Sequence, residues 1–216
     1  MKNLNLLKTG ACCTVWLLLL CACNSKSKQA ATNEKSTQQN ATTLSPADQY
    51  NEVKTWLDDF KNFRTAVYQN DVSKIKTYFS FPVNTDTTQI WEAVYENVDE
   101  AKRPETFPNT FTEADFEKHY KKLFTNAFVK SILKVKSELL FKKGEYTTPM
   151  ITSGKENFSM VANYDKATET LQLSVTYPGG TDEQGNYVSE GEYATIYFFK
   201  IESNRHLRFD KILFAG

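Results

Sequence analysis

From Phe158 to Phe214 apolar residues recur at every second position, and this alternation limits the fold more than any other feature of the chain. Phe158, Met160, Ala162 and Tyr164 alternate with Ser159, Val161 and Asn163, and Leu171, Leu173, Val175 and Tyr177 with Gln172, Ser174 and Thr176. The run from Tyr193 to Ile201 is apolar or aromatic at most positions, and Leu207 and Phe209 alternate with His206 and Arg208. Successive side chains of a strand point to opposite faces, so each run reads as a strand with one buried face. Asp165-Lys166-Ala167, Pro178-Gly179-Gly180, Gln184-Gly185-Asn186 and Glu202-Ser203-Asn204 separate the runs as turn signals. The pattern predicts an antiparallel meander with one face on a core. In the last strand the apolar positions pass from odd (Leu207, Phe209) to even (Ile212, Phe214). One extra residue near Asp210-Lys211 therefore predicts a β-bulge, which bends a sheet.

The preceding half has the helical period. Ser45-Pro46 reads as an N-cap with proline at the first helical position. Val53, Leu57, Phe60, Phe63 and Val67 follow three or four apart, an apolar stripe reaching about Asn70. Asp71 can cap a short helix through Tyr78 that Phe81-Pro82 ends, and Gln89 to Tyr95 adds a turn or two. Thr112 and Asp115 have the spacing of a capping box, with Asp in the place usual for Glu or Gln. Phe116, Tyr120, Leu123 and Ala127 continue that helix, and Phe128, Ile132 and Val135 belong to a second. The expected class is α+β, with N-terminal helices packed on a bent antiparallel sheet. Residues 47–216 have the length of one domain, enough to bury about 70% of the unfolded surface.

Upstream of residue 47 the chain has a different character. Lys2 and Lys8 precede an apolar run from Ala11 to Ala22, the layout of an export signal. As a helix the run would reach only ~18 Å, short of the ~30 Å hydrocarbon core of a membrane. It ends in Leu20-Cys21-Ala22-Cys23, which resembles the lipobox of bacterial lipoproteins. That resemblance implies a signal peptide over 1–22, cleavage before Cys23, and acylation of Cys23. Cys21 fits less well, because bulky Leu20 would stand where the peptidase prefers a small side chain. Residues 23–46 then form a polar, low-complexity tether spanning roughly 25 Å on average. All four cysteines lie at or before Cys23, so the domain has no disulfide and no cysteine nucleophile. Removing Lys2 and Lys8 leaves 24 basic against 26 acidic residues, a balance that argues against a nucleic-acid binder.

Helices first and a long bent sheet last is the order of the nuclear-transport-factor-2-like cone folds. FKNFRTAVYQNDVSKIKTYFSFPV, from Phe60 to Val83, resembles the opening of uncharacterised envelope lipoproteins of that fold. YATIYFFKIESNRHLRFDKILFAG resembles their terminal hairpin. The resemblance implies a cone-like fold with room for a pocket, and no particular activity, because the fold serves enzymes and binding proteins alike.

Few residues suggest chemistry. Arg64 stands one turn after Phe60 and one turn before Tyr68, beside the apolar stripe, where a cation needs a partner. Either a salt bridge joins helix to sheet, or Arg64 binds an anion inside the cone. Trp56, Tyr68 and Trp91, with Tyr95, Tyr193 and Tyr197, are the aromatic residues that could line a ligand pocket beside Arg64. His206 and Asp210 share a strand face yet lie about 13 Å apart, too far to form a dyad directly. His119 reads as a ring edging the core. The two histidines have no second ligand near them in sequence, so neither a metal nor a cofactor is implied. Asp58 and Asp59 diverge as helix neighbours, while Glu92 and Glu96 could share a face. Between Lys118 and Lys143 eight lysines face one acid, Glu138. They form either a solvated helix face or a contact for anionic headgroups or an acidic partner. The acidic loop with Asp182, Glu183, Glu190 and Glu192 could meet them in a homodimer.

The reading these features favour is a binding or protein-interaction module, lipid-anchored to an envelope membrane. The periplasmic face of the outer membrane is the expected site, ahead of the cell surface. The expected partners are the membrane, through the lipid, and an envelope protein. Two alternatives stay open: an inhibitor of a periplasmic toxin or hydrolase, and a small-molecule enzyme of the cone fold with a polar cluster around Arg64.

Overall fold

The computed structural model describes residues 50–180, 184–186 and 188–216. Cys23, the signal, the tether, Ser45-Pro46, and the loop residues Asp182 and Glu183 lie outside the described residues.

Helix α1 (Trp56–Gln69) starts later than the Ser45-Pro46 signal predicts. Residues 50–55 are not helical, so Val53 does not belong to the stripe. The start is set by Thr55 and Asp58: the Asp58 carboxylate accepts the Thr55 N–H at 3.0 Å and the Lys54 N–H at 3.2 Å. These bonds satisfy donors that would otherwise lack a partner at the helix start, and they hold the Asp58 carboxyl below the usual carboxylate range. The leading segment is bound to the flank of the helix, where Asn51 exchanges two hydrogen bonds with the Asn62 side chain. Asp71 caps α2 (Val72–Lys76) as expected, accepting the Lys74 N–H at 2.9 Å. Helix α3 (Ile90–Tyr95) follows, then α4 (Glu113–Leu123), which opens on the Thr112/Asp115 capping box.

The expected continuation of α4 to Ala127 does not occur. Phe124 leaves helical geometry, and Thr125 caps a new helix, α5 (Asn126–Ile132), by accepting the Phe128 N–H. A further helix, α6 (Ser137–Lys143), ends on Gly144 in the left-handed conformation. Gly144 takes a φ of 81°, a region that costs a residue without a Cβ little.

The chain carries a two-stranded ribbon of β1 (Val83–Asn84) and β2 (Thr110–Phe111), and a larger antiparallel sheet. The sheet comprises β3 (Glu145–Thr147), β4 (Ile151–Ser153), β5 (Glu156–Asp165), β6 (Thr170–Tyr177), β7 (Tyr193–Glu202) and β8 (His206–Ala215). Its order is β3-β5-β6-β7-β8, with β4 paired to the other end of β5. The fold is α+β, with helices α1, α3, α5 and α6 in contact with the sheet.

The expected bulge is present. Phe199 faces Phe209 while Phe198 faces Lys211, so Asp210 is the extra residue. Its effect is on the outer edge of β8. Before the bulge the outward N–H groups belong to Leu207 and Phe209, after it to Ile212 and Phe214. Each finds an acceptor in the helical half: the Asp59 carboxylate at 2.8 Å, the Tyr78 carbonyl at 2.7 Å, the Thr88 hydroxyl at 2.9 Å and the Gln89 side-chain carbonyl at 2.7 Å. Gln89 and Thr88 in turn donate to the Ile212 carbonyl.

The core lies between the helices and the inward face of the sheet. Phe63 stands at its centre, with its ring 5.0 Å from those of Tyr78 and Phe199 and 5.7 Å from Phe124. Among the described residues, every buried apolar side chain lies between Trp56 and Ile212, so this segment carries its own core.

Candidate functional site

The four residues singled out from sequence occupy separate places. Trp56 is buried at the start of α1, its ring 4.6 Å from Tyr164 and 5.7 Å from Phe141, at one wall of a shallow cleft. Arg64 does not bridge helix to sheet. Its Nη1 donates to the Val135 carbonyl at 3.0 Å and to the Ser137 hydroxyl at 3.2 Å, joining α1 to the α5–α6 connection. Burial pulls its pKa down, partly opposed by Glu138. Tyr68 is exposed on α1. Trp91 is buried, donates its Nε1–H to the Pro108 carbonyl at 3.1 Å, and packs against Phe107, Phe111 and His119. Burial lowers the His119 pKa, with neighbouring lysines adding to it.

His206 finds a carboxylate on another element. Its Nδ1 lies 3.9 Å from Oδ2 of buried Asp59. That oxygen already accepts the Leu207 N–H, and the other carboxylate oxygen accepts the Tyr78 hydroxyl at 3.1 Å. Asp59 thus holds the sheet edge, and Arg208 beside it is occupied with the Thr77 carbonyl and Glu202. The side chains facing the helices from β7 and β8 are packed with rings: Tyr197 lies 4.4 Å from Phe128 and donates to the Leu123 carbonyl, and Phe209 lies 4.4 Å from Phe79.

The feature with ligand-binding geometry lies at the far end of the sheet. Tyr177 closes β6 and Tyr193 opens β7, directly paired across the ladder. On non-hydrogen-bonded or hydrogen-bonded pairs alike, facing side chains come within reach of each other. These two rings stack at 4.2 Å, nearly parallel at 8°. The inner ring, Tyr177, packs on Phe158 and hydrogen-bonds the Thr125 side chain. The outer ring, Tyr193, remains 40% exposed, so one wall of the stack is open to a ligand. A cleft of about 350 Å³ runs along it, lined also by Lys155, Glu156, Asn157, Gly180 and Glu190.

Glu96, after the end of α3, is half-buried and close enough to these tyrosines to affect both. Burial raises its pKa above the usual carboxylate range, and nearby Glu156 raises it further. Burial likewise pushes the Tyr177 and Tyr193 hydroxyls up, so both stay neutral donors at ordinary pH. An aromatic face with two carboxylates, Glu156 and Glu190, against one lysine, Lys155, on its rim suits a positively charged group, through the ring quadrupole and direct ion pairing. Sequence reasoning named Glu96 and Tyr193 but could not join them. The signal available was the pair of tyrosines flanking one loop, which would have required the strand register to interpret. Compared with known proteins, no family model, no curated protein and no solved structure matches the chain.

Proposed function

We propose that this chain is a lipid-anchored lipoprotein of the cell envelope whose domain is a protein-interaction module, receiving a cationic side chain of its partner at the Tyr177–Tyr193 stack. The anchor rests on Leu20-Cys21-Ala22-Cys23 after an export-type apolar run. The binding reading rests on one observation, a stacked tyrosine pair with an exposed outer ring and carboxylates on its rim. The cone-like form of the domain belongs to the same proposal, supported by the Asp210 bulge and by helices covering one face of the sheet. An inhibitor of a basic envelope hydrolase would be a special case, since an acidic rim favours a basic partner. In the enzyme alternative, a polar cluster around Arg64 would have to form with its Nη1 already donating to Val135 and Ser137.

The anchor is tested by growing cells with a clickable fatty acid. Label is expected on the wild-type chain and lost in Cys23→Ser; an unlabelled wild type would end the lipoprotein reading.

The cleft is tested by following amide NMR shifts while N-acetyl-arginine amide is added. Shifts are expected around Glu156, Tyr177 and Gly191, with Tyr193→Ala weakening binding roughly tenfold, as loss of a cation–π contact worth about 1–2 kcal/mol requires. Binding is also expected to weaken in acid. In the free protein burial, with Glu156 nearby, holds the Glu96 pKa above the usual carboxylate range. Its carboxylate charge, which attracts the ligand, is therefore present above that raised pKa and lost as pH falls through it. Shifts elsewhere on the surface, or an affinity unchanged by Tyr193→Ala, would sink the assignment.

A further inference from the structure

The α5–α6 segment carries a second surface, on helices remote in sequence from the stacked tyrosines. Helix α5 buries Ala127, Phe128, Ser131 and Ile132, and α6 buries Ser137 and Leu140. Their outward sides alternate lysine with large apolar residues. Lys130, Leu133 and Lys134 follow within one turn, and Leu139 stands one turn before Lys142 and Lys143 and one turn after Lys136. On a helix such residues are surface neighbours. Leu133 is 40% exposed and Leu139 37%, although a helix packing only against its own domain would turn such side chains inward. The one acid of the stretch, Glu138, is paired with Lys61 at 2.8 Å, which leaves the flanking lysines with little local opposition.

We infer that this face docks on an anionic lipid surface. Two features select lipid over a protein partner. The centres of protein–protein interfaces are depleted in lysine, whereas here each exposed leucine is bracketed by lysines. Interfacial helices show this same mixture, with apolar side chains entering the headgroup boundary and lysines meeting lipid phosphates. Leu133 and Leu139 supply the apolar contacts. Lys130, Lys134, Lys136, Lys142 and Lys143, all exposed, supply the charge. The face acts as a second membrane signal alongside acylation at Cys23, and it does not depend on the cleft.

The test uses residues 47–216, the segment that contains the complete core, so that neither signal nor lipid contributes. Flotation with vesicles of phosphatidylcholine, alone or mixed with phosphatidylglycerol, should show binding to the anionic vesicles only, diminishing as salt is added. Each lysine near such a surface is worth about fivefold in affinity, so Lys142→Glu with Lys143→Glu should weaken binding by at least roughly 25-fold. Leu139→Ser should weaken it without changing the salt dependence. If the charge-reversed pair fails to fold by circular dichroism, Lys142→Gln with Lys143→Gln serves in its place. Equal binding to neutral vesicles, no binding at low salt, or unchanged affinity in the variants would overturn the proposal. So would a dimer, seen by sedimentation, that the same substitutions dissolve, because the occupant would then be a second copy of the chain.

Discussion

Asp59→Ala is expected to destabilise the domain by about 3 kcal/mol, at the upper end of the about 1–3 kcal/mol for a buried donor left without an acceptor, because the Leu207 N–H loses its partner and the Tyr78 hydroxyl keeps only the Asp59 backbone carbonyl at 3.3 Å. Asp59 is 4% exposed, and its carboxylate receives the Leu207 N–H at 2.8 Å and the Tyr78 hydroxyl at 3.1 Å. Tyr78 and Leu207 are both buried while the carboxylate is in place, at the wall of a cleft of about 220 Å³ that Asp59 also lines. For a domain of this size the loss corresponds to roughly 6–12 °C in Tm. Asp59→Asn keeps one acceptor oxygen and should recover about half of the loss. In the double variant Asp59→Ala with Tyr78→Phe the phenol is gone, so the combined cost should fall short of the two single costs added together. Urea unfolding of the four proteins measures this. A loss under about 1 kcal/mol for Asp59→Ala would show that water or a neighbouring group replaces the carboxylate, against the burial seen here.

Phe63→Ala should cost more, about 4–5 kcal/mol, at the upper end of the range for removing a buried ring. Phe63 is fully buried on α1, and its ring meets four others edge-on: Tyr78, Phe124, Phe128 and Phe199. These belong to the segment after α2, the α4–α5 break, α5 and β7, so one cavity loosens both the helices and the sheet. A close-packed interior relaxes only partly around a missing ring. Domains of this kind hold only about 5–15 kcal/mol in total. The variant is therefore expected to be close to unfolding at physiological temperature, with a denaturant midpoint well below the wild type. Phe63→Leu refills most of the volume and should cost less than half as much. Equal costs for the two substitutions would mean that edge-to-face ring geometry, and not volume, dominates at this site.

The sheet was legible because its signal is strong. Alternation over the long strands β5, β6 and β8 identifies the buried face residue by residue, and the parity change at Asp210 locates the bulge. The start of α1 was not legible. Pro46 is a good first helical residue in isolation, but Thr55 with Asp58 forms a competing start nearer the apolar stripe, and the Asn51–Asn62 pair holds the intervening chain against the helix. Three-residue strands such as β3 and β4 are too short to show any period. Helix α6 did carry a readable end, with Lys142 and Lys143 in its last turn and Gly144 after it.

The sites were harder for a different reason: each depends on contacts distant in sequence. Asp59 looks like the second half of an ordinary acidic pair, and its partners lie 19 and 148 residues away. The meeting of Tyr177 with Tyr193 depends on strand register across the Pro178–Glu192 connection, and a slip of one residue would put the rings on opposite faces. Arg64 was identified as a cation needing a partner, and it has one. That the partner is a carbonyl on a helix connection follows only from the packing of α6 against α1.

The occupied donors along β8 have a consequence for behaviour in concentrated solution. A terminal strand with a free row of amide hydrogens can recruit a strand from a neighbouring molecule, the first step toward swapped or fibrillar assemblies. Here the row is divided by Asp210, and each half is occupied by groups from within the same molecule. On that side the protein offers no template to a passing extended chain, although the strand itself is ten residues long and largely apolar.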